Sequence, residues 1–336
     1  MLKSEFEVLG RRIGPGAPVY IIAEAGSNHD QSLDKARRLI DAAGAAKCDA
    51  VKFQLFDTEE LYSPDHANYA IFKSLQLSVD WLHPLKEHAE GRGLAFFASV
   101  FDRRSADDME AVGTPAYKIA SSETTKLDLV ACIAAKGKPL FISTGMCDFI
   151  DVLEAVACCR RNGNDRVALL QCVALYPAPP QDANLAVMDL FRRQFKCPVG
   201  YSDHVLGLAI AVGAAARGAN VIEKHITLDR NSPGPDHSYA IEPNELIEMV
   251  QQIRDVQLAI GEGEKELHSE ERRLGRRFGL YATRDIQAGE RIAPDAISVR
   301  QPAIGIRARH RDQVTSLVSR KTIRASEPIL WEDLGP

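Results

Sequence analysis

Eight times between Val19 and Ile260 a short apolar run ends in polar residues and gives way to a segment with helical spacing. The strand-like runs fall at residues 19–25, 50–56, 94–101, 116–123, 139–146, 167–176, 199–204 and 221–225. The helical segments fall at 33–46, 79–91, 103–112, 126–136, 149–162, 184–195, 205–220 and 243–260, the first with apolar residues at Leu33, Ala36, Leu39, Ile40 and Ala43. Nearly continuous apolar strands suit a parallel sheet covered by helices on its outer face. Eight such units in succession predict an α/β fold, a (β/α)8 TIM barrel. An open doubly wound sheet is the alternative, but no Gly-x-Gly-x-x-Gly follows the first strand. Ahead of the barrel, residues 5–16 alternate and then turn at Gly14-Pro15-Gly16, which predicts a small hairpin.

Polar residues gather at the carboxyl ends of the strands, the face where barrels of this kind place their chemistry. They are Glu24, Asn28, Lys52, Gln54, Ser99, Lys118, Ser121, Glu123, Ser143, Thr144, Tyr176, Ser202, His204 and His225. Strand alternation puts Ser202 with His204 on one face, and Glu223 with His225 on one face. Neighbouring strands lie about 4.8 Å apart, so the two imidazoles can reach one ion and leave it open positions for water or a carbonyl. The other reading is a pair of strand-end histidines bonded to backbone. Lys52 and Lys118 are two cations in an apolar barrel, and an unpaired buried ammonium is costly. Either an anion sits between them, or each pairs with a carboxylate such as Glu24 or Glu123. Hydroxyls from Ser121, Ser143 and Thr144, with the Gly145 N–H, suit a small phosphorylated or carboxylated substrate. Glu24 and Glu123 are candidates for acid–base work or for holding sugar hydroxyls, or they merely neutralise a lysine. Asp236-His237, in a Gly-Pro-rich loop, binds sugar hydroxyls or stabilises a turn. Trp81 and Trp331 read as packing.

Composition narrows the partners. A net charge of −5 over 336 residues gives no bulk basicity for nucleic acid or an anionic membrane. No apolar run approaches 18 residues, and the acid-bearing start Met1–Glu7 does not read as a signal peptide. The seven cysteines, odd in number and without zinc-type spacing, read as reduced thiols in a cytoplasmic protein. A charged stretch near 261–277 reads as a linker, dividing the chain into a barrel over 1–262, a linker over 263–277 and a small strand-rich domain over 278–336. The last piece is too short for more than a marginal core and should lean on something else.

The ordered motifs Ile22-Ala-Glu-Ala-Gly-Ser-Asn-His29, Val51-Lys-Phe-Gln54, Tyr117-Lys-Ile-Ala-Ser121, Ser143-Thr-Gly-Met146, Gly200-Tyr-Ser-Asp-His204, Glu223-Lys-His225 and Gly234-Pro-Asp-His237 run over nearly the whole chain. Together they resemble the sialic acid synthase family, which includes N-acetylneuraminate, pseudaminate and legionaminate synthases. The tail, Tyr281-Ala-Thr-Arg-Asp-Ile-Gln-Ala-Gly-Glu290, resembles that family's antifreeze-like (SAF) domain. The resemblance implies condensation of phosphoenolpyruvate with an open-chain amino sugar, giving a 2-keto-3-deoxy sugar acid and phosphate. By matching motif, Lys52, Ser99, Lys118, Ser121, Ser143, Thr144, Gly145 and Ser202 would hold phosphoenolpyruvate, Ser99 standing where the family often has Thr. His204 and His225 would hold a divalent ion, Mn2+ first, with Mg2+ or Co2+ in its place. Glu24, Gln54, Glu123, Tyr176 and Asp236 would position the sugar and move protons. A domain-swapped homodimer is implied, the SAF domain of one chain covering the barrel mouth of the other.

Three departures fall on the sugar side. Val173-Ala174-Leu175 precede Tyr176 where the family has Thr with Ser or Asn, Asp30-Gln31 replace Asn-Gly, and Gln301 replaces the arginine that reaches the acceptor's acetamido group. Arg300 is the residue that could swing into its place. Two other readings stay open: a phosphoenolpyruvate aldol synthase acting on a shorter aldose phosphate, and a sugar-binding relative without turnover.

Overall fold

Eight parallel strands close on themselves: β1 (Tyr20–Gly26), β2 (Ala50–Leu55), β3 (Ala95–Val100), β4 (Tyr117–Ile119), β5 (Leu140–Ser143), β6 (Val167–Cys172), β7 (Val199–Asp203) and β8 (Val221–His225). The strands pair in sequence and β8 returns to β1, so the expected (β/α)8 barrel is the observed one. This computed structural model describes residues 1–261 and 263–336. The boundary expected at residue 262 lies outside the described residues. The chain forms two compact units, Met1–Gly261 and the remainder to Pro336.

Alternation along the strands sorts the side chains. One set (Ile21, Val51, Phe53, Phe96, Ile142, Leu169) packs outward under the helices. The inward set runs from apolar to polar along each strand: Ala50, Lys52 and Gln54 on β2, Ala95, Phe97 and Ser99 on β3, Val221, Glu223 and His225 on β8. At the amino end Phe141 stacks against Tyr20 at 5.9 Å and Phe97 at 5.5 Å, and takes the edge of Phe6 at 6.0 Å. Phe6 comes from the N-terminal hairpin (Phe6–Val8 with Arg11–Ile13), which adds Val8 and Ile13 to the same cluster and closes the barrel from below. The chemistry is therefore confined to the carboxyl end. Pairing register then sets Glu24 beside both Lys52 and His225, and Lys224 beside Asp203.

Several boundaries differ from expectation. The hairpin reverses at Leu9-Gly10, both with positive φ, and Gly14-Pro15-Gly16 follows its second strand. Two-residue hairpin turns of type I′ need positive φ at both central positions, which the tripeptide's proline forbids. Strands β4, β5 and β6 stop at Ile119, Ser143 and Cys172, several residues early, so Thr144 and Tyr176 sit in loops and Ser121 and Glu123 bound a short 3-10 helix, Ser121–Glu123. The helix expected from 205 covers only Ala209–Ala216, because Val205 bridges back to Ala178 and Gly207 takes φ +76°. The polar stretch 57–78 holds two short helices, Thr58–Leu61 and Tyr69–Leu75, beneath which Phe56, Tyr62, Phe72 and Phe101 meet edge to face or tilted. The expected linker carries a short helix, Ser269–Arg273.

The second unit pairs Gly279–Ala282 with Ile297–Arg300 and Val318–Ser319 with Leu334–Gly335. It has a core of its own built on Leu280, Ile286, Ile297, Ile306, Ile323 and Ile329. Trp81 packs on the barrel core and edge-on to His29 at 6.0 Å; Trp331, half exposed, meets His310 at 5.5 Å.

Candidate active site

Four charges converge where the inward residues turn polar. The Lys52 Nζ lies 2.7 Å from Glu24, donates to Ser99 Oγ at 2.6 Å and lies 3.5 Å from Glu223. Lys118 Nζ donates to Ser143 Oγ at 2.6 Å and to the Ile119 carbonyl at 3.3 Å, with Glu223 at 3.9 Å. Ser202 donates to Glu223 at 3.2 Å, and Gln54 to Glu24 at 3.3 Å. All four ionisable side chains are buried. The two carboxylates that balance the lysines are thus Glu24 and Glu223, not Glu123, and Glu223 is the residue the sequence reading left without a role.

The two carboxylates differ in proton affinity. Burial raises the Glu24 carboxyl to about 7; Lys52 opposes the shift and Glu223 reinforces it. Burial pushes Glu223 up as well, but Lys118 and Lys52 together outweigh it and hold it well below the usual carboxylate range. Lys52 is held above its ordinary value: burial opposes its charge, but Glu223 and Glu24 prevail. Lys118 is pushed down by burial, with Glu223 opposing and Lys52 assisting.

Beside this cluster the His204 and His225 rings stand 5.3 Å apart, inclined at 63°. The Nδ1 of His204 meets the Val173 carbonyl at 2.7 Å, and the Nδ1 of His225 meets the Tyr239 hydroxyl at 3.4 Å. Burial lowers both imidazoles to about 3, His225 also feeling Lys52 and His204 feeling His225. Each ring is therefore neutral, with Nδ1 engaged and the Nε2 lone pair left for another partner. Backbone bonding and ligand readiness, the two readings of these histidines, coexist at His204. Among the described residues no cluster of three or more His, Cys, Asp or Glu can hold a metal, so the protein would supply two imidazoles alone. Tyr176, half exposed, lies 4.2 Å from the His204 ring.

These side chains line a narrow cavity of about 40 Å3, together with Ala120, Ser121 and Cys172. Four of the expected residues in the barrel unit lie outside its lining. Glu123, in the turn after β4, accepts from Ser122 at 2.6 Å and is raised by burial. Thr144 spends its hydroxyl on the Leu170 carbonyl at 3.0 Å. Gly145 donates its N–H to Ser121 at 3.0 Å; a Cβ there would stand 2.8 Å from that oxygen, so the glycine serves close packing. Asp236 accepts from Tyr239 at 2.8 Å. In the second unit, Gln301 donates to the Arg276 carbonyl at 2.9 Å and Arg300 to Ser326 at 3.4 Å. The loop departure has its own logic: Asp30 bonds Lys35 at 2.7 Å and His237 at 2.9 Å, and His237 bonds Thr227 at 2.7 Å, which ties the first loop to the last. Thr144 and Cys172 also border a larger groove of about 570 Å3 lined by Phe149, Val152, Val187 and Phe191. That groove is apolar and carries no converging charges.

Residues 39–265 match the NeuB family and residues 279–335 match the SAF domain. The chain is 37% identical to the spore coat polysaccharide biosynthesis protein SpsE of Bacillus subtilis over 98% of its own length and 97% of that protein. It is 35% identical to the N,N'-diacetyllegionaminic acid synthase of Legionella pneumophila, covering 96% of each. Among solved structures, the N-acetylneuraminic acid synthetase of Leptospira borgpetersenii in complex with citrate superposes with a TM-score of 0.76 at 32% identity, over 81% of this chain and 95% of that one.

Proposed function

The chain belongs to the NeuB family and is a carbon–carbon bond-forming transferase; from that premise we propose that it condenses phosphoenolpyruvate with an open-chain hexosamine or related hexose, giving a nine-carbon 2-keto-3-deoxy sugar acid and phosphate. One observation carries the reading: two neutral imidazoles with free Nε2 positions beside a buried cluster of two lysines and two carboxylates.

Phosphoenolpyruvate is small and polyanionic, and Lys52 and Lys118 would exchange their carboxylate partners for it, with Ser99, Ser143 and Ser202 completing the hydrogen bonds. Ser121, Thr144 and Gly145 form the wall behind it. Carbon 3 of the enol ether attacks the sugar aldehyde, water adds at carbon 2, and phosphate leaves with its bridging oxygen. Glu24, parted from Lys52, would donate its proton to the aldehyde oxygen as that oxygen becomes a hydroxyl. The donor set fits a divalent ion, Mn2+ in the first place: neutral imidazole nitrogen is a standard ligand, and both rings already have Nδ1 occupied. Bound there, the ion supplies Lewis-acid polarisation of the aldehyde. Gln54, Tyr176 and Asp236 would orient the sugar. Glu123 is assigned only a supporting place at the end of β4.

The acceptor we propose is one with fewer polar groups than N-acetylmannosamine. Val173 and Ala174 bring no hydroxyl or amide, and the Gln301 amide is already bonded within its own unit. A site built to bond a group rejects analogues that leave its partners unpaired, at about 1–3 kcal/mol each. An acceptor-phosphate site would need further cations, and among the described residues Lys52 and Lys118 are the only ones lining the cavity. The test is phosphate release from phosphoenolpyruvate across a panel of aldoses, with and without chelator. Release should depend on sugar, cease on chelation and return with Mn2+, with N-acetylmannosamine a poor acceptor. No sugar-dependent release overturns the reaction; full turnover in a metal-stripped sample overturns the ion; N-acetylmannosamine as the best acceptor overturns the specificity.

A further inference from the structure

The loop after β8 sends one tyrosine back against the histidines. Tyr239 is almost wholly buried, its ring 5.1 Å from that of His225 and 5.3 Å from that of Tyr176. Packing alone would be served as well by phenylalanine. The hydroxyl adds something specific: it donates to Asp236 Oδ1 at 2.8 Å and stands 3.4 Å from His225 Nδ1. The nearest carboxylate oxygen to that nitrogen is 3.9 Å away, beyond hydrogen-bond reach, so Tyr239 Oη is the acceptor within range.

The chemistry of a neutral imidazole makes this consequential. It carries one N–H, and the nitrogen that holds it is decided by where an acceptor lies. With the Tyr239 proton committed to Asp236, the oxygen's lone pairs face His225. The proton then belongs on Nδ1, and Nε2 keeps its lone pair toward the cavity. The Asp236 carboxylate that accepts from the hydroxyl polarises it and so makes its oxygen a better acceptor. His204 obtains the same result from a backbone carbonyl, that of Val173. One histidine is thus set by the main chain, and the other by a side-chain relay that a single substitution can cut.

We propose that Tyr239 is a positioning residue: through the sequence His225 Nδ1–H to Tyr239 Oη–H to Asp236 it fixes the tautomer and ring orientation of His225, and it holds Asp236 in the place from which that carboxylate meets the sugar. The proposal rests on the divalent-ion reading above. Partners of this kind behind a ligating histidine govern affinity by roughly 10–100-fold.

The experiment is Mn2+ binding to the full chain by calorimetry, with the electron paramagnetic resonance spectrum of the bound ion, for the wild type, Tyr239→Phe and Asp236→Asn. The wild type should bind one Mn2+ per chain. Tyr239→Phe should keep the wild-type melting temperature, bind Mn2+ about 10-fold or more weakly, and show an altered spectrum. Asp236→Asn, which keeps an acceptor for the tyrosine but removes the charge, should weaken binding by a smaller factor. Should Tyr239→Phe melt early, Asp236→Asn carries the test by itself. Wild-type Mn2+ affinity in both variants overturns the relay while leaving the ion in place. No Mn2+ binding by the wild type overturns the ion reading and the relay with it.

Discussion

Glu24 and Glu223 face the same two lysines, yet the lysines' field falls chiefly on Glu223, and Glu24 is left to hold a proton near neutrality. If Glu24 protonates the aldehyde oxygen, the active form is the protonated one, and turnover should fall as pH rises through about 7. Glu24→Gln should lower kcat/KM by about 10²–10⁴-fold and remove that limb from the pH profile. An unchanged limb in the variant assigns it to another group. Most of the cluster was legible because alternation along a strand is a local rule: Lys52, Ser99, Lys118, Ser143, Ser202 and His225 follow it into the cavity. Past the strand ends the rule no longer decides: Ser121, Tyr176 and His204 still line the cavity, while Glu123, Thr144 and Gly145 turn elsewhere. Glu223 sat on the right face beside His225, but its partners are strands away in sequence. Tyr239 lies in an irregular loop with no periodicity to point it inward.

At the scale of elements, the two histidine strands are clasped on their outer side. Lys224 and Asp203, each one residue before a strand-end histidine and so on the opposite face, form a buried ion pair at 2.7 Å, and Lys224 also donates to the Val205 carbonyl. Removing one partner of a buried pair strands the other's charge, at about 3–5 kcal/mol. Lys224→Met should therefore lower unfolding stability by about that amount in denaturant titration; a loss under about 1 kcal/mol would mean that Asp203 finds another partner. Strand and helix identity came through in all eight units, since apolar runs and helical spacing are strong signals. Boundaries came through less well. Ala178 pairing with Val205, and the left-handed Leu9 that turns the hairpin, depend on contacts or turn geometry that a residue's neighbours in sequence do not specify.

The whole molecule divides the work between units whose cores are separate. Every residue of the barrel's apolar clusters lies before Gly261, and the second unit has its own cluster from Leu280 to Leu334. A chain ending at Gly261 should keep the barrel's cooperative melting but lose most sugar-dependent phosphate release, on the expectation, implied by the family resemblance, that the tail of one chain covers the mouth of another. Light scattering should show the full chain as a dimer; normal turnover by the shortened chain would give the tail a different role. The tail's length predicts a marginal core, and what core the unit has is built chiefly from closely set isoleucines, Ile286, Ile292, Ile297, Ile306, Ile323 and Ile329. The floor formed by Phe6, Tyr20, Phe97 and Phe141 has a kinetic consequence. A vessel stoppered at one end fills and empties through the other, last in and first out. Lys52 and Lys118 pair in register with Phe97 and Phe141 of that stopper, while His204 and His225 fall at the carboxyl ends of β7 and β8, so on the proposed reading phosphoenolpyruvate would enter before the sugar, and a sugar arriving early would bar the way to its own reaction partner.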